Sequence, residues 1–489
     1  MKYYSIIIAF LLLCSGIKGQ NHGEELYKEK YRPQFHFSPK KGWIGDPCGF
    51  IYYQGKYQLF WWGKVVSDDL VHYKEISDKV MKGEPRKIGY FTGSVLVDKN
   101  NTAGFGENTM IANYTIFDHE TKNQSQGISY SQNGEIFQYY DGNPVIDIGS
   151  TEFRDPTVIW HEPTKKWVMV VALALEKKIR FYSSSDLKHW TWMSDFGPKG
   201  DSERSWECPD LFQLSVDGDP NNKKWVLVVS INWAREQYFI GDFDGNSFKL
   251  MEGHPEQPLY VDYGMDYYAS RVFQDYDNSL ENVTTMGWVA YWDYAPKVPS
   301  TWGKGFWSIP RNLKLKTFPE GIRMIQIPHE NLKSLRKDIV NYKGKIPQGA
   351  SLLPKFVPQE NIYEMEITFS TDVPNISGLN LCVGEGRKVI VRYDTQSETL
   401  LIDRTNCSDV AIDKFPRISF AKVSPIDNKI KLHFFVDKSS IELFTNEGKE
   451  VFTLQTYAGE KQTGIEIFAL NKGTNITFNA WNLKSIWNN

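Results

Sequence analysis

The chain has 489 residues, 41% of them hydrophobic, and a net charge of −3 at pH 7. This length allows two or three domains with cores of their own, and the charge, without basic runs or phosphate-cradling glycine loops, argues against a nucleic-acid partner. Aromatic residues make up 15% of the chain, which suits both a β-rich core and surfaces that stack against sugar rings.

The first residues are typical of a secretory signal peptide. Lys2 is the charged start, residues 6–13 are apolar, and small residues follow up to Gly19. The apolar run is too short to span a bilayer. We therefore predict a signal peptide over residues 1–19 and a secreted, periplasmic or extracellular protein. A lipid anchor on Cys14 is the alternative, disfavoured because Leu13 is bulky where a lipoprotein signal has a small residue.

The remaining cysteines are too few for a disulfide scaffold. Cys48 and Cys208 are expected to be buried, whereas Cys382 and Cys407 are candidates for pairing. No pair of cysteines or histidines has metal-ligand spacing, so we expect no metal and no cofactor.

A faint repeat runs through the first two-thirds of the chain. Residues 67–73 return with changes at 184–190, and a weaker copy begins at Ser131, giving spacings of 64 and 53 residues. Apolar runs bounded by Gly, Asn, Asp and Pro predict strands at 56–62, 167–172, 225–231 and 287–292. Such a repeat of strands and turns predicts propeller blades. Coincidence among many aromatic strands is the alternative.

A polar stretch from 327 to 354 interrupts this pattern, and alternating strands follow it. The final segment is long enough for a β-sandwich. We therefore predict an all-β protein, a β-propeller over 30–326 followed by a C-terminal β-sandwich over 350–489.

Three acidic motifs lie far apart in the propeller segment. They place Asp46 before Pro47, Asp155 before Pro156, and Glu207 three residues before Asp210. A carboxylate near a proline is usually a turn residue. However, each motif precedes an apolar run, so the carboxylates are expected to converge at the propeller centre. A glycosidase needs a nucleophilic carboxylate and a carboxylic acid that protonates the leaving oxygen.

At these motifs the chain resembles glycoside hydrolase family 32, the invertases, inulinases and levanases. The resemblance extends in order over nearly the whole mature chain, through segments 35–39, 91–94, 262–269, 307–311 and 436–444. It implies a five-bladed propeller with a sandwich, and a retaining mechanism on β-fructofuranosides. Asp46 would be the nucleophile, Glu207 the general acid/base and Asp155 the stabiliser of the transition state.

The resemblance also implies contacts with a fructan or fructo-oligosaccharide substrate. The candidates are Trp43, Trp62, Phe91, Ser94, Arg154, Cys208, Asp266 and Trp292. Structural roles are the alternatives: a salt bridge for Arg154, core packing for Phe91, Ser94 and Trp292, and a strand-start cap for Asp266.

Two departures from the family pattern affect the pocket. Gly45 and Cys48 stand where the family usually has asparagines, and the segment after Lys64 lacks the family's pocket-lining glutamine. Sugar binding is therefore expected to be weakened or rebuilt, with Trp62 filling part of the gap.

The function favoured by these observations is hydrolysis of terminal fructosyl units of levan, inulin or fructo-oligosaccharides. A non-catalytic fructan-binding protein on the same fold is the main alternative: the carboxylates argue against it, and the lost asparagine and glutamine argue for it. A fructosyltransferase differs only in whether a sugar or water accepts the fructosyl group.

Overall fold

A computed structural model describes residues 25–85, 87–408 and 410–487. The predicted signal peptide and Cys14 lie outside these residues. Within them, regular structure is almost entirely β-strand, with short 3-10 helices at Glu162–Thr164, Ala174–Glu176, Ala295–Lys297 and Glu330–Leu335. None of these helices has the length and apolar character that a bilayer span requires.

The strands are numbered in chain order. The first are β1 (Gly42–Trp43), β2 (Phe50–Tyr53), β3 (Lys56–Phe60), β4 (Lys64–Ser67), β5 (Tyr73–Ser77), β6 (Met81–Lys82), β7 (Ile88–Asp98), β8 (Thr109–Asp118), β9 (Gln124–Ser131), β10 (Phe137–Tyr139) and β11 (Ile146–Ser150). The next are β12 (Phe153–His161), β13 (Lys166–Leu173), β14 (Lys178–Ser184), β15 (Thr191–Phe196), β16 (Trp206–Val216), β17 (Asp219–Ile231), β18 (Arg235–Phe243), β19 (Phe248–Leu250), β20 (Leu259–Tyr260), β21 (Tyr268–Asp275), β22 (Val283–Trp288), β23 (Gly303–Lys304), β24 (Arg311–Phe318) and β25 (Gly321–Pro328). The last are β26 (Arg336–Ile346), β27 (Gly349–Leu352), β28 (Tyr363–Ser370), β29 (Ile376–Gly384), β30 (Arg387–Asp394), β31 (Thr399–Asp403), β32 (Ile418–Lys422), β33 (Lys429–Asp437), β34 (Ser440–Thr445), β35 (Val451–Gln455), β36 (Gly464–Ala469) and β37 (Thr474–Leu483).

Five antiparallel four-stranded units form the first part of the molecule. They are β2–β5, β7–β10, β12–β15, β16–β19, and β21 with β22, β24 and β25. The first strands of these units neighbour one another in a closed ring, β2–β7–β12–β16–β21–β2. This is the arrangement of a propeller whose innermost strands line a central funnel, and it confirms the predicted fold class.

The apolar runs are continuous because each blade is buried on both faces. In β13, Val168 and Val170 join the cluster shared with the next blade, whereas Met169 and Val171 join the cluster shared with the previous one. Alternate residues of a strand point to opposite faces, so a central blade strand must be apolar at nearly every position.

The sequence repeat corresponds to a turn that recurs at the end of the third strand in three of the blades. The hydroxyl of Ser67, which ends β4, accepts the N–H of Leu70 at 2.8 Å. Ser184, which ends β14, does the same for Leu187 at 2.8 Å. Ser131, which ends β9, accepts a turn N–H at 2.9 Å. The repeat is therefore confirmed as structural.

Two six-stranded sheets form the sandwich. Their strand orders are β26-β37-β28-β33-β34-β35 and β27-β36-β29-β30-β31-β32, and their facing sides share one core. Strand β26 lies within the stretch predicted as a polar break. It has only one strand neighbour and a largely exposed surface, so it needs few apolar residues. The suggested pairing of Cys382 with Cys407 is wrong, because both are free and buried.

Buried ion pairs join the two parts of the molecule. His36 lies between two sandwich carboxylates, 2.7 Å from Asp437 and 2.9 Å from Glu442. Glu442 also pairs with Arg311 of the propeller strand β24, and Arg311 with Asp262 at 3.0 Å. Burial alone would lower the pKa of His36, but its hydrogen bonds to Asp437 and Glu442 raise it to about 9. The imidazolium therefore helps to hold the two parts together.

Candidate active site

The innermost strands of four blades each have a bulge near their first residues. In β12, Arg154 pairs with Ala172 and Thr157 with Val170, so two residues oppose one. The registers of β7, β16 and β21 shift in the same way after Tyr90, Glu207 and Tyr268. A β-bulge redirects side chains, and prolines at two of these bulges suit positions without a ladder hydrogen bond.

Cys208, at the bulge of β16, contacts two of the three predicted carboxylates. Its sulfur lies 3.8 Å from Asp46 Oδ2 and 3.5 Å from Asp155 Oδ2, and its N–H donates to the same Asp155 oxygen at 3.2 Å. Burial raises the pKa of the Cys208 thiol well above its usual range. A neutral thiol therefore separates the two carboxylates.

Asp46, four residues before β2, has one hydrogen-bonded carboxylate oxygen and one without a partner among the described residues. Oδ2 accepts a hydrogen bond from the Thr92 hydroxyl at 2.8 Å, whereas Oδ1 has no hydrogen-bond partner among the described residues. Burial, and next the nearby Asp155 carboxylate, raise the pKa of Asp46 to about 7. Burial likewise raises the pKa of Asp155 to about 6.

Glu207 is held by two donors from neighbouring blades. Arg154 Nε donates to Oε1 at 2.9 Å, and the Tyr268 hydroxyl bonds to Oε2. The Arg154 guanidinium also contacts Glu152 at 2.7 Å and Gln124 at 3.1 Å. Its planar fork thus orients Glu207. Arg154 Nε also lies 4.0 Å from Asp155 Oδ2, so the guanidinium links the two carboxylates.

Aromatic side chains lie beside the carboxylates in two groups. Trp43 and Trp292 are 39% and 38% exposed, and their rings stack with centroids 5.8 Å apart. Trp62 Nε1 donates to the Phe91 carbonyl at 2.9 Å, next to the Thr92 that bonds Asp46. These four predicted residues therefore form apolar surfaces next to the segments that carry and contact Asp46.

Two family models together cover almost all of the described chain. The model of the glycosyl hydrolases family 32 N-terminal domain matches residues 36–328, and the model of the family 32 C terminal matches residues 331–482. The chain belongs to glycosyl hydrolase family 32.

Relatives and solved structures agree with this membership. A levanase of Bacillus subtilis (strain 168) is 37% identical over 99% of this chain and 75% of that protein. The crystal structure of exo-inulinase from Aspergillus awamori matches with a TM-score of 0.88 and 29% identity, covering 94% of this chain and all of that one. β-Fructofuranosidase from Schwanniomyces occidentalis, complexed with fructosyl-erythritol, matches with a TM-score of 0.82 and 28% identity, covering 94% and 99%.

Asp266 has a structural role instead of the contact with substrate that the sequence predicted. It is fully buried, and its oxygens bond to Tyr294 at 2.6 Å, to the Gln455 N–H at 2.7 Å and to Arg404. Both oxygens are therefore used at the contact with the sandwich, and assigning Asp266 to substrate binding was wrong. Asp266 belongs to a segment that resembles the family, but only a later residue of that segment reaches the site. Tyr268, the first residue of β21, bonds Glu207, whereas Asp266 lies two residues before this strand.

Ser94 is also buried rather than open to the funnel. It is 2% exposed and accepts the Val158 N–H at 3.1 Å. It therefore ties β7 to β12 and supports the site from behind.

Three residues of the site were missed by the sequence analysis. Thr92 and Tyr268 lie within segments that carry the family 32 resemblance, but nothing in those segments indicated that they contact Asp46 and Glu207. Arg271 is buried, donates to the Pro209 carbonyl at 2.5 Å, and acts against the burial that raises the pKa of Asp46. The signal in the sequence that could have indicated Arg271 is a single arginine within the largely apolar strand β21.

The departure at Gly45 has a steric reason in this family 32 member. A Cβ at this position would meet Trp43 Nε1 at 2.9 Å. Trp307 Nε1 donates to the Gly45 carbonyl at 3.1 Å, which holds the segment in place. The indole of Trp43 thus lies where an asparagine side chain would begin.

Among the residues that the structure describes, one group of possible metal ligands lies in the sandwich, away from Asp46, Asp155 and Glu207. Glu364, Glu366 and His433 have ligand atoms within 4.8 Å of one another. However, both oxygens of Glu364 accept hydrogen bonds from Arg336, and Glu366 pairs with Lys431 at 2.7 Å. These contacts indicate an ion-pair network.

Removing the Thr92 hydroxyl is expected to move the acidic limb of the pH profile of kcat/KM. As the predicted nucleophile, Asp46 must be ionised, so kcat/KM is expected to fall as pH drops through the pKa of Asp46. The Thr92 hydrogen bond opposes the rise that burial causes. Thr92→Val should therefore shift the limb to higher pH by up to about one unit, since one neutral hydrogen bond contributes about 0.5–1.5 kcal/mol and one unit corresponds to about 1.4 kcal/mol.

Thr92→Ser keeps the hydroxyl and is the matched control. The pH dependence of kcat/KM should be the same for this variant and the wild type. An acidic limb of Thr92→Val at or below that of the wild type would exclude this role for Thr92.

Proposed function

We propose that this chain is a retaining β-fructofuranosidase that releases terminal fructosyl units from levan, inulin or fructo-oligosaccharides. One observation carries the proposal, the cluster of three carboxylates. Cys208 contacts Asp46 and Asp155, and Arg154 links Asp155 to Glu207. The names of the levanase and exo-inulinase relatives support the substrate class. The signal-like N-terminus supports secretion.

In the first half-reaction Asp46 attacks the anomeric carbon of fructose, and Glu207 protonates the leaving oxygen. Oδ1 of Asp46 is the oxygen free for attack, because Oδ2 is bonded to Thr92. The Asp155 carboxylate accepts hydrogen bonds from sugar hydroxyls as positive charge develops on the ring. Its negative charge stabilises that transition state.

In the second half-reaction Glu207 takes a proton from water, which then attacks the fructosyl-enzyme. Glu207 alternates between acid and carboxylate, and its partners suit both forms. The Tyr268 hydroxyl can donate to the carboxylate or accept from the acid, while Arg154 keeps the other oxygen in place.

Hydrolysis is expected to retain the anomeric configuration. A retaining pair of carboxyl groups lies about 5–5.5 Å apart, since no water has to fit between nucleophile and sugar. We expect this separation between Asp46 and Glu207. NMR of the first product should show β-fructose; α-fructose would establish inversion instead.

The activity is tested by incubating the protein with sucrose, inulin, levan and a four-unit fructan. We expect free fructose from chain ends and a lower kcat/KM for sucrose than for the four-unit fructan. Losing two sugar hydrogen bonds costs roughly one or two decades in affinity at about 0.5–1.5 kcal/mol each, and longer chains can recover part of this outside the pocket.

The same experiment separates the alternatives. Binding of fructan without turnover would identify a fructan-binding protein. Products longer than the substrate would identify a fructosyltransferase. A kcat/KM for sucrose equal to that for the four-unit fructan would show that the pocket is intact despite Gly45 and the shortened segment.

A further inference from the structure

An exposed tryptophan in the turn between β17 and β18 has no role in this mechanism. Trp233 is 39% exposed and has φ 67°, a left-handed conformation that bulky residues seldom adopt. Asn232 before it also has a positive φ, 57°. Backbone strain that displays a large apolar ring suggests a functional constraint.

The turn is fastened to the segment that leads into the general acid/base. Glu207 pairs with Ser230 in β17, so the turn lies at the same end of the blade. The Asn232 N–H donates to the Ser205 carbonyl at 3.2 Å, and Asn232 Oδ1 accepts the Arg204 N–H at 2.8 Å. Trp233 is thereby held in a defined position relative to Glu207.

Trp233 continues the row of exposed tryptophans at the site. The Trp292 N–H donates to the Trp233 carbonyl at 3.4 Å, and Trp292 stacks on Trp43, three residues before Asp46. The three residues therefore form an arc from the segment before Asp46 to the segment before Glu207: the rings of Trp43 and Trp292 stack, and the backbone of Trp233 is bonded to that of Trp292. The exposed guanidinium of Arg204, 5.7 Å from the Trp233 ring centroid, adds hydrogen-bond donors to this arc.

We propose that Trp233 and Arg204 form an outer subsite for the sugar units of a fructan chain beyond the second. An indole presents a flat apolar surface to the C–H groups of a sugar, and a guanidinium donates to its hydroxyls. Sucrose, with two units, is too short to reach this subsite, whereas a four-unit fructan reaches it. The inference rests on the proposed function and names the residues that give this site its chain-length preference.

The test compares kcat/KM of Trp233→Asn on sucrose and on a four-unit fructan. Asparagine tolerates the left-handed conformation, so the turn is retained while the ring is lost. We expect about a tenfold decrease for the four-unit fructan, equivalent to about 1.4 kcal/mol, and no change for sucrose. Trp233→Tyr should keep most of the preference, and Arg204→Gln should lose a smaller part of it.

The matched control is Trp192→Asn, because Trp192 is 57% exposed on β15, the last strand of another blade. This variant should behave as the wild type on both substrates. Equal losses on sucrose and the four-unit fructan for Trp233→Asn, or no loss on either, would overturn the subsite.

A binding measurement separates this inference from the proposed function. Calorimetry with the four-unit fructan is carried out on Asp46→Asn and on Asp46→Asn combined with Trp233→Asn. A roughly tenfold weaker affinity of the double variant supports the subsite even if the wild type hydrolyses nothing, whereas unchanged affinity rejects it.

Discussion

Asp46→Ala is expected to lower kcat by at least about 10³-fold, because the covalent route through a fructosyl-enzyme needs the carboxylate. The fold should persist. Burial raises the pKa of Asp46 to about 7, so ionising this group lowers stability as pH rises from about 4 to 7. The variant should therefore be at least as stable as the wild type near pH 8, measured as Tm beside kcat.

Glu207→Ala should lose turnover to a similar extent, since general acid catalysis contributes about 10²–10⁴-fold and Glu207 acts in both half-reactions. Asp68→Ala, at an exposed carboxylate paired with Lys56, is the control and should keep wild-type kcat. Near-normal turnover in a folded Asp46→Ala protein is incompatible with the assigned nucleophile.

His36→Leu is expected to lower the free energy of unfolding by about 3–5 kcal/mol, the cost of leaving buried charges without their partner. Asp437 and Glu442 would each lose a hydrogen bond to the imidazolium. The measurement is urea unfolding followed by tryptophan fluorescence. His189→Leu, at a ring that is 88% exposed beside Asp186, is the matched control and should change stability by less than about 1 kcal/mol.

The effect of His36→Leu should depend on pH in a defined direction. The pKa of His36 is raised to about 9 in the folded protein, above its ordinary value of about 6.5. Its contribution is therefore fully present below about pH 6.5 and is lost as pH rises through about 9. The difference in unfolding free energy between wild type and variant should shrink over this range; a constant difference would argue against a charged His36.

Local patterns in the sequence determined the β-strands and much of the fold. Continuous apolar runs such as 167–172 predicted strands buried on both faces, and the Ser67 and Ser184 turns marked equivalent places in two blades. Two of the acidic motifs form bulges, at Asp155–Pro156 and Cys208–Pro209, where strand pairing is interrupted and proline is tolerated. The motifs were therefore recognisable from residues adjacent in the chain. These features depend on neighbours in the chain and on one element at a time.

Tertiary structure decided which side chains meet. Tyr268 lies 61 residues from Glu207, and Thr92 lies 46 residues from Asp46, so no local pattern pairs them. Asp266 belongs to a segment that resembles the family, yet closure of the ring and docking of the sandwich place its carboxylate against Arg404. Sequence alone thus singled out the three carboxylates that we propose react, whereas blade packing determined their hydrogen-bond partners, because hydrogen bonds and burial depend on distances that chain spacing does not specify.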